Sequence, residues 1–183
     1  MEVEKLQRAF DVEVRFAPFL LDPSIPPEGK PRRPQTGPGD PPSALEARGQ
    51  SLGIAFNRGR ERTSYSIPAL EAAEFAAEHG AGIGFHKALF EAYFTGLRDI
   101  SDIELLVEAG RSAGLDAEAM RNALESGEYR QQVVDGISWS RSIGVTAVPT
   151  FVFDDQYGVV GAQDYQVLED VMRKLGHIPR ETV

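Results

Sequence analysis

Gly144-Val145-Thr146-Ala147-Val148-Pro149-Thr150-Phe151-Val152-Phe153 decides how this chain is read. A proline follows the β-branched Val148 and opens a run of β-formers. Proline fixes φ and carries no N–H, so a sheet tolerates it at the first residue of a strand. From the X–Pro bond alone, a trans proline opening a strand is the default. Beside the run stands an absence: the 183 residues contain no cysteine. That excludes disulfides, Cys-ligated zinc, iron–sulfur clusters and a cysteine nucleophile within these residues.

Downstream of the run, Thr150–Asp154 reads as a strand and Val159-Val160 as its partner. The turn between them, Asp155-Gln156-Tyr157-Gly158, makes the pair a hairpin, with Asp154 and Asp155 serving the turn. A closing helix over about 164–175 carries Val167, Leu168, Val171 and Leu175 at helical spacing. Gly161 and Gln163 read as backbone holders behind the proline. Upstream, a helix over about 129–143 leads into the run, and its Trp139 reads as a core anchor rather than a ligand platform.

Further out, Ser43-Ala44-Leu45-Glu46 has the form of a capping box and starts a helix to about Phe56. Pro68 suits the first turn of a helix over about 67–79, closed by His79-Gly80. Its Ala69, Leu70, Ala73, Ala76 and Ala77 make a small-residue face. A helix over about 84–95 follows, then one opened by a second capping box, Ser101-Asp102-Ile103-Glu104, and one capped by Asp116. At the N-terminal end, residues 2–9 read as a helix and Val12–Phe16 as a strand of period two. Residues 17–42 hold nine prolines and three glycines and read as a long extended loop.

Composition is that of a globular domain, 42% hydrophobic and 26% charged. The net charge of −9 argues against nucleic acid and anionic membranes as partners, because both need basic patches. The segment after Met1 is charged from Glu2, so no signal peptide is visible, and no apolar run approaches the length of a membrane span. The expectation is a soluble, cytoplasmic protein. His86 with Glu91 reads as a hydrogen-bonded histidine rather than a metal ligand, His79 as a helix C-cap, and His177 as solvated. No metal site and no catalytic residue is arguable from spacing.

The order is helix–strand, a long helical block, then strand–strand–helix, which is an α/β sheet with an inserted all-helical subdomain. Several segments in that order resemble the DsbA-like proteins of the thioredoxin fold, FrnE type. They are Phe16-Ala17-Pro18-Phe19-Leu20-Leu21-Asp22-Pro23 with Pro26-Pro27-Glu28-Gly29; Ala73-Glu74-Phe75-Ala76; Phe85-His86-Lys87-Ala88-Leu89-Phe90-Glu91-Ala92-Tyr93-Phe94; and Arg98-Asp99-Ile100-Ser101-Asp102. Gly144 to Phe153, then Gly161-Ala162-Gln163, resembles that family's cis-proline loop, hairpin and closing turn.

The resemblance implies a thioredoxin-like part formed by 1–42 and 144–183 and a helical insertion over 43–143. It implies a cis Val148–Pro149 bond, with the Val148 N–H and C=O turned outward to pair with an extended peptide. Val148 and Pro149 are therefore the expected substrate-binding residues. The family's first strand and its Cys-Pro-x-Cys motif have no counterpart in this sequence, so no catalytic residue carries over. The expectation is a shortened or misassigned start rather than an evolved deletion, with a homodimer covering the exposed strand edges. Three functions follow from the resemblance. The first is a thiol–disulfide oxidoreductase relative that cannot perform the redox step as this chain. The second is a non-redox enzyme similar to the kappa-class glutathione transferases and 2-hydroxychromene-2-carboxylate isomerases, with glutathione or a small thiol as ligand. The third is a non-catalytic module that binds peptides through the Pro149 loop.

Overall fold

The computed structural model describes residues 2–33, 36–37 and 39–180. Among the described residues, eight α-helices and four short strands fall into two compact units, one formed by residues 1–21 with 138–183 and the other by 22–137. The chain thus leaves the first unit, builds the whole of the second, and returns.

In the first unit, helix α1 (Glu2–Ala9) packs on helix α8 (Tyr165–Lys174) and on one face of a two-stranded sheet, β3 (Thr150–Phe153) and β4 (Tyr157–Val160). Both helices are strongly amphipathic, and their apolar stripes meet as Leu6 and Phe10 against Leu168, Val171 and Met172. Phe151, Phe153 and Val159 close the same core from the sheet. The hairpin turn has Asp154 at φ +50° and Asp155 at φ +54°, the two left-handed residues that a type I′ turn requires. His177, expected in solvent, is solvent-accessible and also places Nε2 2.6 Å from Asp154 Oδ2 beside that turn.

Val12–Phe16 does not form the expected strand. Its alternation survives, with Val12 and Val14 half-buried and Glu13 and Arg15 exposed, but the segment joins no ladder among the described residues. A strand exists only where a neighbour accepts its hydrogen bonds, and period-two patterning cannot supply one. The next residues are held differently: the buried Ser140 hydroxyl donates to the Pro18 carbonyl at 2.9 Å.

The second unit is a helical bundle of α3 (Ile67–Glu78), α4 (Gly82–Phe90), α5 (Ile103–Ser112) and α6 (Ala117–Ser126), with the first part of α7 (Arg130–Ser142). Ala69, Ala72 and Ala76 of α3 let the helices approach Phe75, Phe85, Leu106 and Met120. Buried among them is one carboxylate, Glu71, which accepts from Arg130 Nε at 2.9 Å. Ahead of α3 come β1 (Lys30–Pro31), α2 (Ala44–Ser51) and β2 (Arg62–Thr63). The β1–β2 ladder lies partly inside the proline-rich stretch read as irregular, and Pro31 occupies an edge position where its missing N–H is tolerated.

Side-chain caps set the starts of α2, α5 and α6. Ser43 and Glu46 form the reciprocal capping box read from the sequence, and Asp116 accepts from the amides of Glu118 and Ala119. The second expected box is not formed. Asp102, not Ser101, caps α5 through the Glu104 amide, while Ser101 donates to Asp99. A carboxylate one residue nearer the helix is the stronger acceptor. The helix expected over 84–95 changes character at Glu91: α4 ends at Phe90 and Glu91–Thr95 forms a π-helical turn.

Candidate functional site

The run that opened the sequence reading lies between α7 and β3. After α7 the chain turns through Gly144 at φ +82°, with the Val145 amide on the Ser140 carbonyl at 3.0 Å. The Val148–Pro149 peptide is cis. Thr150 Oγ1 donates to the Ala147 carbonyl at 2.7 Å, bracing the loop from its far side. Pro149 accepts from the Gly161 amide at 2.8 Å, and Gln163 Nε2 donates to the Val160 carbonyl at 2.8 Å. Gly161 and Gln163 therefore hold backbone, as the resemblance to the family's closing turn implied.

The register states which way the strand's polar groups point. Thr150 faces Val160, Phe151 faces Val159 and Val152 faces Gly158. The Gly161-to-Pro149 bond makes Pro149 and Gly161 a hydrogen-bonded pair in the same register. Bonded and non-bonded pairs alternate in an antiparallel ladder, so Phe151 is bonded to Val159 while Thr150 and Val152 are not bonded to β4. The N–H and C=O of Thr150 and Val152 therefore face the opposite edge of β3. No strand pairs there among the described residues.

The side chains around this edge are apolar and accessible. Val148 is 51% exposed, Val152 38% and Val160 58%. Pro149 is exposed as well. Val148 and Pro149, the two residues singled out in the sequence, thus stand in the open at the start of an unpaired edge. Trp139 and Ile143 of the helix leading into the loop are also exposed, at 43% and 44%. The core role expected for Trp139 is not observed, because α7 turns Ile137 and Ser140 inward and leaves Trp139 outside. Sequence reasoning missed this exposure, since helical spacing marks a face but not what covers it.

The histidines are elsewhere and are structural. His79 Nδ1 lies 2.9 Å from the Phe75 carbonyl at the end of α3, and the ring stacks on Phe75. His86 Nδ1 lies 2.8 Å from the Gly82 carbonyl, and burial pushes its imidazole below the usual histidine range. Among the described residues no group of three or more His, Asp or Glu side chains could hold a metal ion. None of their helices is long and apolar enough to cross a membrane.

Known proteins share this architecture. The uncharacterized protein YwbO of Bacillus subtilis strain 168 is 29% identical over 175 residues, which is 91% of this chain and 84% of YwbO. A probable DsbA oxidoreductase of Streptomyces coelicolor superposes with a TM-score of 0.66 at 28% identity, covering 76% of this chain. The chain spans 61% of that structure's length. A candidate protein disulfide isomerase of Nitrosomonas europaea shares the fold at a TM-score of 0.55 and 18% identity, over 80% of this chain and 79% of its own. The family model for DSBA-like thioredoxin domains matches residues 1–173. The chain belongs to the DSBA-like thioredoxin domain family, a family of thioredoxin-fold oxidoreductases.

Proposed function

We propose that these 183 residues bind extended polypeptide along the free edge of β3 and perform no thiol–disulfide exchange of their own. The observation that carries the reading is the outward set of N–H and C=O groups on Thr150 and Val152, next to the exposed Val148 and Pro149. An extended peptide completes such an edge as an added strand, with affinity coming from main-chain hydrogen bonds. Exchange at a disulfide proceeds by attack of a thiolate, and the chain has no sulfur nucleophile to supply one.

The edge is tested by removing one outward donor without touching the β4 ladder. Val152→Pro deletes an N–H that makes no bond to β4, whereas Val152→Thr keeps the backbone intact. With a carboxymethylated, permanently unfolded polypeptide as client, Val152→Pro is expected to weaken capture by about tenfold or more, the loss of a buried hydrogen bond or two. Val152→Thr is expected to retain capture. Equal capture by wild type and Val152→Pro, with unchanged circular dichroism, would overturn the edge as the binding element. For the second half of the reading, insulin reduction by dithiothreitol is expected to run at the same rate with and without the protein. Glutathione binding in calorimetry at millimolar ligand would instead favour a small-thiol site.

A further inference from the structure

The helical unit holds a second concavity, of about 290 Å³, which nothing in the peptide-edge reading uses. We propose that it is a binding site for a small ligand carrying an oxyanion, a carboxylate or a phosphate. Its volume is near the lower end for small-molecule pockets, which suits a compact ligand. Arg60, Arg62 and Arg98 all line it, on a chain whose net charge is −9.

Two of these guanidiniums are held in place by groups that carry no negative charge. Arg60 lies flat on Tyr93, its Cζ 3.4 Å from the ring centroid, and donates through Nη2 to the Tyr93 carbonyl. Its Nε–H is sealed from solvent and has no acceptor, a cost that a shift of the guanidinium toward an incoming acceptor removes. Arg62 Nη2 donates to the carbonyls of Glu28 and Gly29, at 2.5 and 3.0 Å. The bonds that hold these two guanidiniums go to carbonyls rather than carboxylates, which leaves charged donors for bidentate anion recognition. Arg98 is paired with Glu108 at 2.9 Å, but that pair is solvent-exposed and weak.

The acidic groups of the pocket are Glu61 and Asp99. Asp99 already accepts from the Ser101 amide at 3.0 Å and the Ser101 hydroxyl at 2.8 Å. Burial raises its carboxyl, yet the bonds from Ser101 and Ser64, with the nearby charge of Arg62, outweigh that and hold it below the usual carboxylate range. Its oxygens are thus already engaged by serines, and its charge on Arg62 is one that an incoming oxyanion has to outcompete.

Backbone irregularities converge on the same wall. The π-helical turn Glu91–Thr95 places the Tyr93 carbonyl on Arg60 and ends just before Leu97. Leu97 is left-handed at φ +55°, a conformation that is unfavourable for an L-residue with a side chain. Gly29, at φ +74°, is obligatory, since a Cβ there would stand 2.8 Å from the Thr63 carbonyl. Left-handed residues and π-turns persist where surrounding structure over-determines them, and they gather at ligand sites.

The test uses the 183-residue chain and two probes, inorganic phosphate and succinate, titrated by calorimetry at low salt. Saturable binding of either supports the site, and the probe that binds states which oxyanion the ligand carries. Arg62→Gln and Arg98→Gln are each expected to weaken it by about tenfold, the loss of a charge-assisted hydrogen bond. Arg173→Gln in α8 is expected to leave it unchanged. No saturation by either probe at tens of millimolar overturns the proposal, and so does an equal loss in Arg173→Gln. Client capture through β3 is a separate readout, so failure here leaves the peptide-edge result to stand or fall alone.

Discussion

Glu71 is the residue on which the helical unit is most exposed to damage. Its side chain is 2% exposed, whereas that of its partner Arg130 is 65% exposed, so the carboxylate bears the desolvation and the guanidinium supplies the compensation. Arg130→Ala strands a buried charged acceptor and is expected to lower stability by about 1–3 kcal/mol in urea unfolding. Adding Glu71→Leu to that variant is expected to recover most of the loss, because the apolar isostere needs no partner. Individual residues were unevenly legible in the sequence. Asp116, His79 and the turn aspartates announce their roles through local backbone chemistry, and the structure places them accordingly. Glu71, Trp139 and His177 do not, because what decides them is a neighbour far away in the chain: Arg130, the uncovered side of α7, and Asp154.

Among the elements, α2 shows how a cap can tie down a loop. Glu46 closes the capping box with Ser43 and also accepts from Arg58 at 2.7 and 3.0 Å. Arg58 reaches on to the carbonyls of Gly37, Asp40 and Pro41, which pins that stretch to the helix. Hydrogen bonding from Arg58, then from the Ser43 amide, lowers the Glu46 pKa from 4.5 to about 2. A carboxylate depressed on folding contributes stability above its unfolded pKa, and that contribution disappears as pH falls through the folded value. Stability is therefore expected to fall between about pH 4.5 and about pH 2, and Glu46→Gln is expected to flatten that part of the curve in urea titrations. Helix starts were readable where one acceptor was available, as at Ser43, and misread where two competed, as at Ser101 and Asp102. The π-turn left no signal, since Glu91–Thr95 continues an ordinary helical pattern. Val12–Phe16 carried a strand's alternation but found no ladder.

For the whole molecule, the fold class was legible in the element order and the proline run, and the family match bears it out. The free edge of β3 was not readable with that certainty, because pairing is a property of two segments and sequence pattern belongs to one. An open edge flanked by exposed valines is a template for pairing with another chain. Sedimentation velocity is expected to show association that rises with concentration, and Val152→Lys is expected to weaken it several-fold by placing a charge beside the edge.

The core of the first unit joins Leu6 and Phe10 to Leu168, Val171 and Met172, and Arg180 donates to Asp11 across 169 positions. Written as kinetics, that topology sets a sequence of events. In the α3–α6 bundle each helix packs on the next across a short connection, and α3 also meets α5 and α6, all within one stretch of chain that needs neither flanking segment. Joining α1 to α8 through a slack chain costs loop entropy that a folded bundle has already removed. The helical unit is thus the clock of this molecule: the docking of α1 on α8, rather than the local β3–β4 hairpin, is the step expected to wait on it.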